Sequence, residues 1–231
     1  VSAIVDTILV YNFVDLSVRA TDNASVPAKQ DSVRFSILSG TGGFRDTSRV
    51  LQDTTIATDA NGRASIRLYT ASVPVTDTVI AKLKSTSDDS VLFSINTQPR
   101  AISSLSISVA SNWTAGVSEN VTVTALDQYL NVVTNATTNI TLNAINSPSV
   151  EFSPAATFAL ASGVATYSLR DTVAKSGLQI RAVESGVGTQ ALSSSIIVKH
   201  AQAARFRDTS LVINNVKIGN SRTITAVVID S

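Results

Sequence analysis

Three stretches decide the fold: Leu16-Ser-Val-Arg-Ala-Thr-Asp22, Val121-Thr-Val-Thr-Ala-Leu-Asp127 and Ile224-Thr-Ala-Val-Val-Ile-Asp230. In each, alternate residues ahead of the Asp are apolar, and in the first two copies most of the residues between them are polar. A period of two sends one side chain inward and the next outward, as a strand on the face of a sandwich requires. The closing aspartates stand 105 and 103 residues apart, about the length of one sandwich domain.

Neighbouring runs repeat with the same spacing. Val33-Arg-Phe35-Ser-Ile37 recurs as Thr138-Asn-Ile140-Thr-Leu142, and Ala64-Ser-Ile66-Arg-Leu68 as Ala165-Thr-Tyr167-Ser-Leu169, with Gly62 and Gly163 ahead of them. Val79 and Ala81 correspond to Ile180 and Ala182. No segment sustains a helical apolar stripe. Asn61-Gly62 predicts a type I′ hairpin turn, and Gly40-Thr-Gly-Gly43 and Ser147-Pro148-Ser149 predict loops. The reading is an all-β chain of tandem immunoglobulin-like β-sandwich domains, end to end. Residues 1–99 form one, its first strand incomplete, residues 100–202 form a second, and residues 203–231 begin a truncated third.

Composition narrows the function. The 231 residues are 44% hydrophobic but only 5% aromatic, and the 18 basic residues are scattered on a chain of net charge +1. Nucleic-acid binding needs a basic stripe with stacking aromatics, and none is legible. There is no Cys, hence no disulfide and no thiolate zinc site. No apolar run reaches the length of a membrane span. The chain opens on Val1 without Met or a leader, which reads as an excerpt from inside a longer protein.

Chemistry is sparse. The one imidazole, His200, sits at an expected domain junction, where exposure is the ordinary outcome. The acidic residues are mostly aspartates in turn context, where Asp hydrogen-bonds its own backbone. No cofactor is expected; the one candidate to weigh is calcium, at Asp88-Asp89 or at Asp127 with Asn131, against the favoured solvated turn. Trp113 is read as a packing residue rather than a sugar platform. The end loops Gly40–Arg45 and Asn112–Glu119 are the places where a module could grip a glycan or a protein.

Thr58-Asp-Ala-Asn-Gly-Arg-Ala-Ser-Ile-Arg-Leu68 resembles the hairpin signature of bacterial Ig-like domains of the invasin/intimin type, and so does the order of strands around it. Thr124-Ala-Leu-Asp127-Gln-Tyr129-Leu-Asn131-Val-Val133 resembles the family's turn, with Leu130 where Gly usually precedes the Asn, a departure that puts that turn's form in question. The resemblance implies a rod-like stalk on a bacterial surface. Its partners would be neighbouring repeats, another copy through self-assembly, or a host or cell-surface ligand. The alternatives are a ligand-binding module and an accessory sandwich of a secreted hydrolase.

Nine of the 14 aspartates precede Ser or Thr directly. Asp6-Thr7-Ile8, Asp31-Ser32-Val33, Asp53-Thr54-Thr55, Asp77-Thr78-Val79, Asp89-Ser90-Val91 and Asp171-Thr172-Val173 also resemble the short acceptor of a bacterial general O-glycosylation system. That makes Thr7, Ser32, Thr54, Thr78, Ser90 and Thr172 candidate glycan sites. The competing explanation is an Asp that closes a turn before a strand-opening Thr.

Overall fold

The computed structural model describes residues 4–46, 49–85, 89–207 and 227–230. Among them there are strands and turns and no helix. The chain divides into two compact units, Val1–Ser103 with Ala125–Asn135, and Ser104–Thr124 with Ala136–Ser231.

The first unit contains nine strands: β1 (Ile4–Leu9), β2 (Phe13–Arg19), β3 (Ser32–Ser39), β4 (Gly43–Asp46), β5 (Arg49–Leu51), β6 (Asp53–Ala57), β7 (Arg63–Tyr69), β8 (Thr76–Leu83) and β9 (Ser90–Gln98). One sheet runs β1-β9-β8-β3-β6 and the other β2-β7-β4-β5. Alternation explains the layering. Leu16 of β2, Ala64 and Leu68 of β7, Val33 and Phe35 of β3, Val79 and Ala81 of β8 and Phe93 and Ile95 of β9 all enter one core, while the residues between them face out.

The remaining strands repeat this plan. They are β10 (Ser104–Val109), β11 (Asn112–Thr114), β12 (Ser118–Leu126), β13 (Asn139–Ile145), β14 (Val150–Ser153), β15 (Thr157–Ala159), β16 (Val164–Asp171), β17 (Lys175–Glu184), β18 (Gln190–Leu192) and β19 (Ile196–Lys199). One sheet reads β10-β12-β16-β14 and the other β11-β19-β17-β13-β15, with β18 also on β17. Val121, Val123, Ile140, Leu142, Tyr167, Leu169, Ile180 and Ile196 are buried between them. Tyr167 donates its hydroxyl proton to the Ile140 carbonyl at 2.7 Å, and burial pushes its pKa up to about 12. β20 (Ala203–Arg207) pairs with β21 (Val227–Asp230) in a two-stranded ribbon, and β21 carries the end of the third copy of the marker.

The register corrects one correspondence. Phe35 pairs with Ala81, whereas it is Leu142, not Ile140, that pairs with Ala182. Val33 therefore answers Ile140, and both stand opposite the residue at the far end of the next strand, Leu83 and Glu184. A slip of two residues keeps every side chain on its face, so the alternation pattern cannot detect it.

The Asn61-Gly62 turn also differs from expectation. It joins β6 to β7, which belong to opposite sheets, so it is a crossing between sheets and not a hairpin. Only Gly62 takes positive φ, at 74°. A Cβ there would stand 2.3 Å from the Ala20 carbonyl oxygen, which is why the position needs glycine. The paired positive φ of a type I′ turn occurs in the second copy instead, at Ser162 (51°) and Gly163 (78°), closed by mutual bonds between Ala161 and Val164.

Candidate functional site

Within the first unit the Gly40–Arg45 loop borders a shallow concavity of about 230 Å³. Tyr11, Tyr69, Arg45, Thr41 and Ser72 line it. The loop is fixed from below rather than flexible: fully buried Asp77 accepts the N–H groups of Thr41 and Gly42, both at 2.8 Å. A Cβ at Gly40 or Gly42 would meet the Asp77 side chain at 2.0 or 2.9 Å, so the glycines let the backbone close over the carboxylate. The Arg45 guanidinium lies over the Tyr69 ring, 4.6 Å from its centre. Aromatic faces beside a cation suit a sugar or a peptide side chain.

The marker aspartates have a structural role that repeats. Asp22 Oδ1 accepts the N–H groups of Ala24 and Val26, its carbonyl accepts from Ser25, and its own N–H donates to Val26. Asp127 does the same with Tyr129, Asn131, Leu130 and Asn131. Asp59 repeats it with Asn61, Arg63, Gly62 and Arg63. In all three the fourth residue takes positive φ: Ser25 at 63°, Gly62 at 74° and Leu130 at 66°. Leu130 therefore leaves the turn unchanged and occupies the left-handed region itself, its side chain 73% exposed. The N–H groups of Arg63 and Asn61 hold the Asp59 carboxyl below the usual carboxylate range.

Asp127 is the buried member of the set. Its oxygens also accept the Arg100 N–H at 3.0 Å and the Asn131 side-chain amide at 3.2 and 3.1 Å. Burial pushes its carboxyl up, but the Asn131 amide and the N–H groups of Arg100, Asn131 and Tyr129 outweigh it and hold the pKa below the ordinary value. Asn131 further donates to the Ser72 carbonyl at 2.6 Å, and Tyr129 stacks on Tyr11 with centres 4.6 Å apart. All of these residues belong to the first unit. A carboxylate encircled by N–H donors is a turn anchor, and its oxygens face donors rather than a cation. Of the other calcium candidates, Asp88 lies outside the described residues and Asp89 is exposed. Among the described residues no three metal-ligating side chains converge.

The second end loop, Asn112–Glu119, is built around Trp113, which is 1% exposed and donates its indole N–H to the Ala110 carbonyl at 3.0 Å. It packs the core and offers no stacking face. His200 is exposed, its Nδ1 2.8 Å from the Ala201 carbonyl.

Of the candidate glycan sites, Thr7 and Thr172 are exposed and Ser32, Thr54, Thr78 and Ser90 are half-buried. Of the aspartates before them, Asp6 accepts the Thr7 N–H, Asp31 accepts the Ser32 N–H, and Asp53 pairs with Arg34. Asp171 takes the hydroxyls of Ser147 and Ser149, both at 2.6 Å, and the Val173 N–H. Burial raises its pKa and those three donors, with Lys175, lower it more. Glu184 is likewise buried yet held low by the Thr138 hydroxyl and the N–H groups of Gly186 and Val187.

These features define a class: paired immunoglobulin-like β-sandwiches whose buried carboxylates fasten loops. The fold is that of bacterial Ig-like adhesin domains. The Escherichia coli adhesin FdeC matches at 18% identity and TM-score 0.54, over 85% of this chain and 61% of that one. The Yersinia pseudotuberculosis adhesin InvE matches at 16% identity and TM-score 0.38, over 84% of this chain and 56% of that one. Invasin, described as a bacterial integrin-binding protein, matches at 14% identity and TM-score 0.37, over 82% and 40%. The chain thus spans about three fifths of the first two. No family model and no curated protein matches the sequence.

Proposed function

We propose that this chain is a non-enzymatic, tension-bearing segment of a long bacterial cell-surface or extracellular filament protein. One observation carries the reading. In each sandwich a strand near its start runs parallel to its last, β1 on β9 from Ile4↔Phe93 to Leu9↔Gln98, and β11, which follows β10, on β19 from Asn112↔Ile197 to Thr114↔Lys199. Pulling the ends of a module apart loads such a parallel pair in shear, so its bonds must break together rather than unzip one by one. The first unit has the longer pair and should resist more.

Single-molecule pulling of the 231-residue chain tests this. The expected trace has two force peaks, the weaker first, each releasing a length on the order of 30 nm at about 3.5 Å per residue. Extension without peaks would refute the reading. The concavity of Tyr11, Arg45 and Tyr69 supports a second reading, in which the first unit also grips a glycan or peptide. Tyr69→Ala should then abolish retention on an array of such ligands. Exposed Thr7 and Thr172 are the two positions we put forward first for O-linked sugars, and the intact mass of native material decides that.

A further inference from the structure

The outer face of β2, β7 and β4 carries a row of rings and cations. Phe13 pairs with Tyr69 across β2 and β7, and Gly43 with Tyr69 across β4 and β7. The two rings stand 5.9 Å apart. The Arg67 guanidinium lies 3.9 Å from the centre of Phe13, and that of Arg45 4.6 Å from the centre of Tyr69. β2 and β12 are the same strand of the repeat, as β7 and β16 are, so the register gives each residue its counterpart. Ser118 stands for Phe13, Arg170 for Tyr69, Glu151 for Gly43, Ser153 for Arg45 and Gly116 for Tyr11. Arg170 pairs there with Glu151 at 2.6 Å. The same sandwich plan is thus built without a ring at any of these positions.

Tyr11 sharpens the contrast. It takes φ 53° where the sister sandwich has Gly116 at 80°. Left-handed backbone is open to glycine and costs a tyrosine on the order of 1 kcal/mol. Strain of this kind gathers at binding surfaces. Tyr129 backs one face of the ring, which is still 54% exposed. Of the two cations, Arg67 is neutralised by Asp15 in a bidentate pair at 2.7 and 2.9 Å, whereas Arg45 has no carboxylate partner among the described residues. A guanidinium stacked on a ring keeps its N–H groups in its own plane, where they can fork onto a carboxylate. No Asp or Glu is among the described residues lining the concavity, and Asp77 is buried beneath the loop with Oδ1 on the Thr41 and Gly42 N–H groups.

We propose that this concavity binds a pyranose that carries a carboxylate, the acidic unit of a glycan. The proposal rests on the second reading above and names its ligand. The exposed face of Tyr11 stacks on the C–H face of the sugar, the Arg45 fork takes the carboxylate, and the Thr41 and Ser72 hydroxyls meet those of the ring. An extended peptide is disfavoured because β7 and β4 each have a strand on both sides, so no backbone edge is offered there. At about 230 Å³ the concavity also suits a single ring better than a longer segment.

The test titrates methyl glucuronide, methyl sialoside, methyl glucoside and a capped tri-glutamate peptide into the 231-residue chain and follows amide shifts by NMR. An acidic sugar should shift Tyr11, Thr41, Arg45 and Ser72 and bind at least tenfold tighter than the glucoside, with Ser118, Glu151 and Arg170 unmoved. Whichever of the two acidic sugars binds tighter names the source of the carboxylate. Arg45→Gln should bring that sugar down to the affinity of the glucoside without changing the glucoside's own. Tyr11→Gly, the sister's residue at this position, should keep the fold and lose both sugars. Equal affinity for the glucoside and the acidic sugars would overturn the proposal and leave a neutral-sugar site, and tighter binding of the peptide would overturn it and leave a peptide site. Equal shifts around Arg170 would mark the binding as unspecific and overturn it as well. No shift from any of the four at tens of millimolar would remove both the proposal and the reading beneath it.

Discussion

The turns at Asp22 and Asp127 share one hydrogen-bond skeleton and differ in everything around it. Asp22 is exposed and serves only its own loop, while Asp127 is buried and also receives Arg100 and the Asn131 amide. The skeleton is set by the Asp and by the backbone, since an Asp oxygen two and four residues ahead of free N–H groups closes the turn by itself. What surrounds it is set by neighbours distant in sequence. One local motif therefore serves as a solvated corner in one place and as an anchor in another.

Removing the carboxylate should separate the two most strongly. Asp127→Ala leaves several buried N–H groups without an acceptor and should cost roughly 3 kcal/mol, against about 1 kcal/mol for Asp22→Ala, where water replaces the oxygen. Chemical denaturation of both variants checks this, and equal losses would erase the distinction. Gly62→Ala tests the third turn: positive φ and the close Ala20 carbonyl predict a loss of about 2 kcal/mol by the same measurement.

Acid should expose the buried anchors. Asp127, Asp171 and Glu184 all have folded pKa values below their ordinary ones. Each binds a proton more readily when unfolded, so its contribution is present above the ordinary carboxylate range, around 4, and is lost as pH falls through the folded value. The native chain should lose stability steadily below about pH 4, and Asp127→Asn should flatten that slope. The smallest effect is a gain. Leu130→Gly relieves a leucine at φ 66° and should stabilise by about 0.5 kcal/mol, whereas a loss would mean that the exposed leucine makes a contact worth keeping.

Much of this architecture was legible because alternation records faces. Leu16, Ala20, Phe35, Leu68, Val121, Val123, Ile140, Tyr167 and Leu169 read as inward and are buried, whereas Val18 and Ile66 read the same way and are half-buried. Alternation does not record register modulo two, which hid the pairing of Leu142 with Ala182. Nor could it tell that Asn61-Gly62 passes between sheets, since a crossing and a hairpin use the same turn residues. The concavity was only half legible. The Gly40–Arg45 loop was marked by its glycines, but Tyr11 and Tyr69 join it through tertiary placement. The anchors were the least legible. Asp77 acts on Thr41 and Gly42, Asp171 on Ser147 and Glu184 on Thr138, and no local pattern announces a partner so far along the chain.

The central claim is that one sandwich plan is built twice, with β2 and β12 as the same strand under different cover. Native-state amide exchange of the 231-residue chain, read residue by residue, tests it most directly. The Ser103 N–H donates to the Leu126 carbonyl at 2.8 Å, so the even-numbered residues of β12 face β10. Thr122 and Thr124 should therefore exchange slowly, while Ser17 and Arg19, their counterparts on β2, should exchange at least a hundredfold faster although Leu16 and Val18 beside them stay protected by β7. Equal protection of the two sets, or fast exchange at Thr122 and Thr124, would contradict the account.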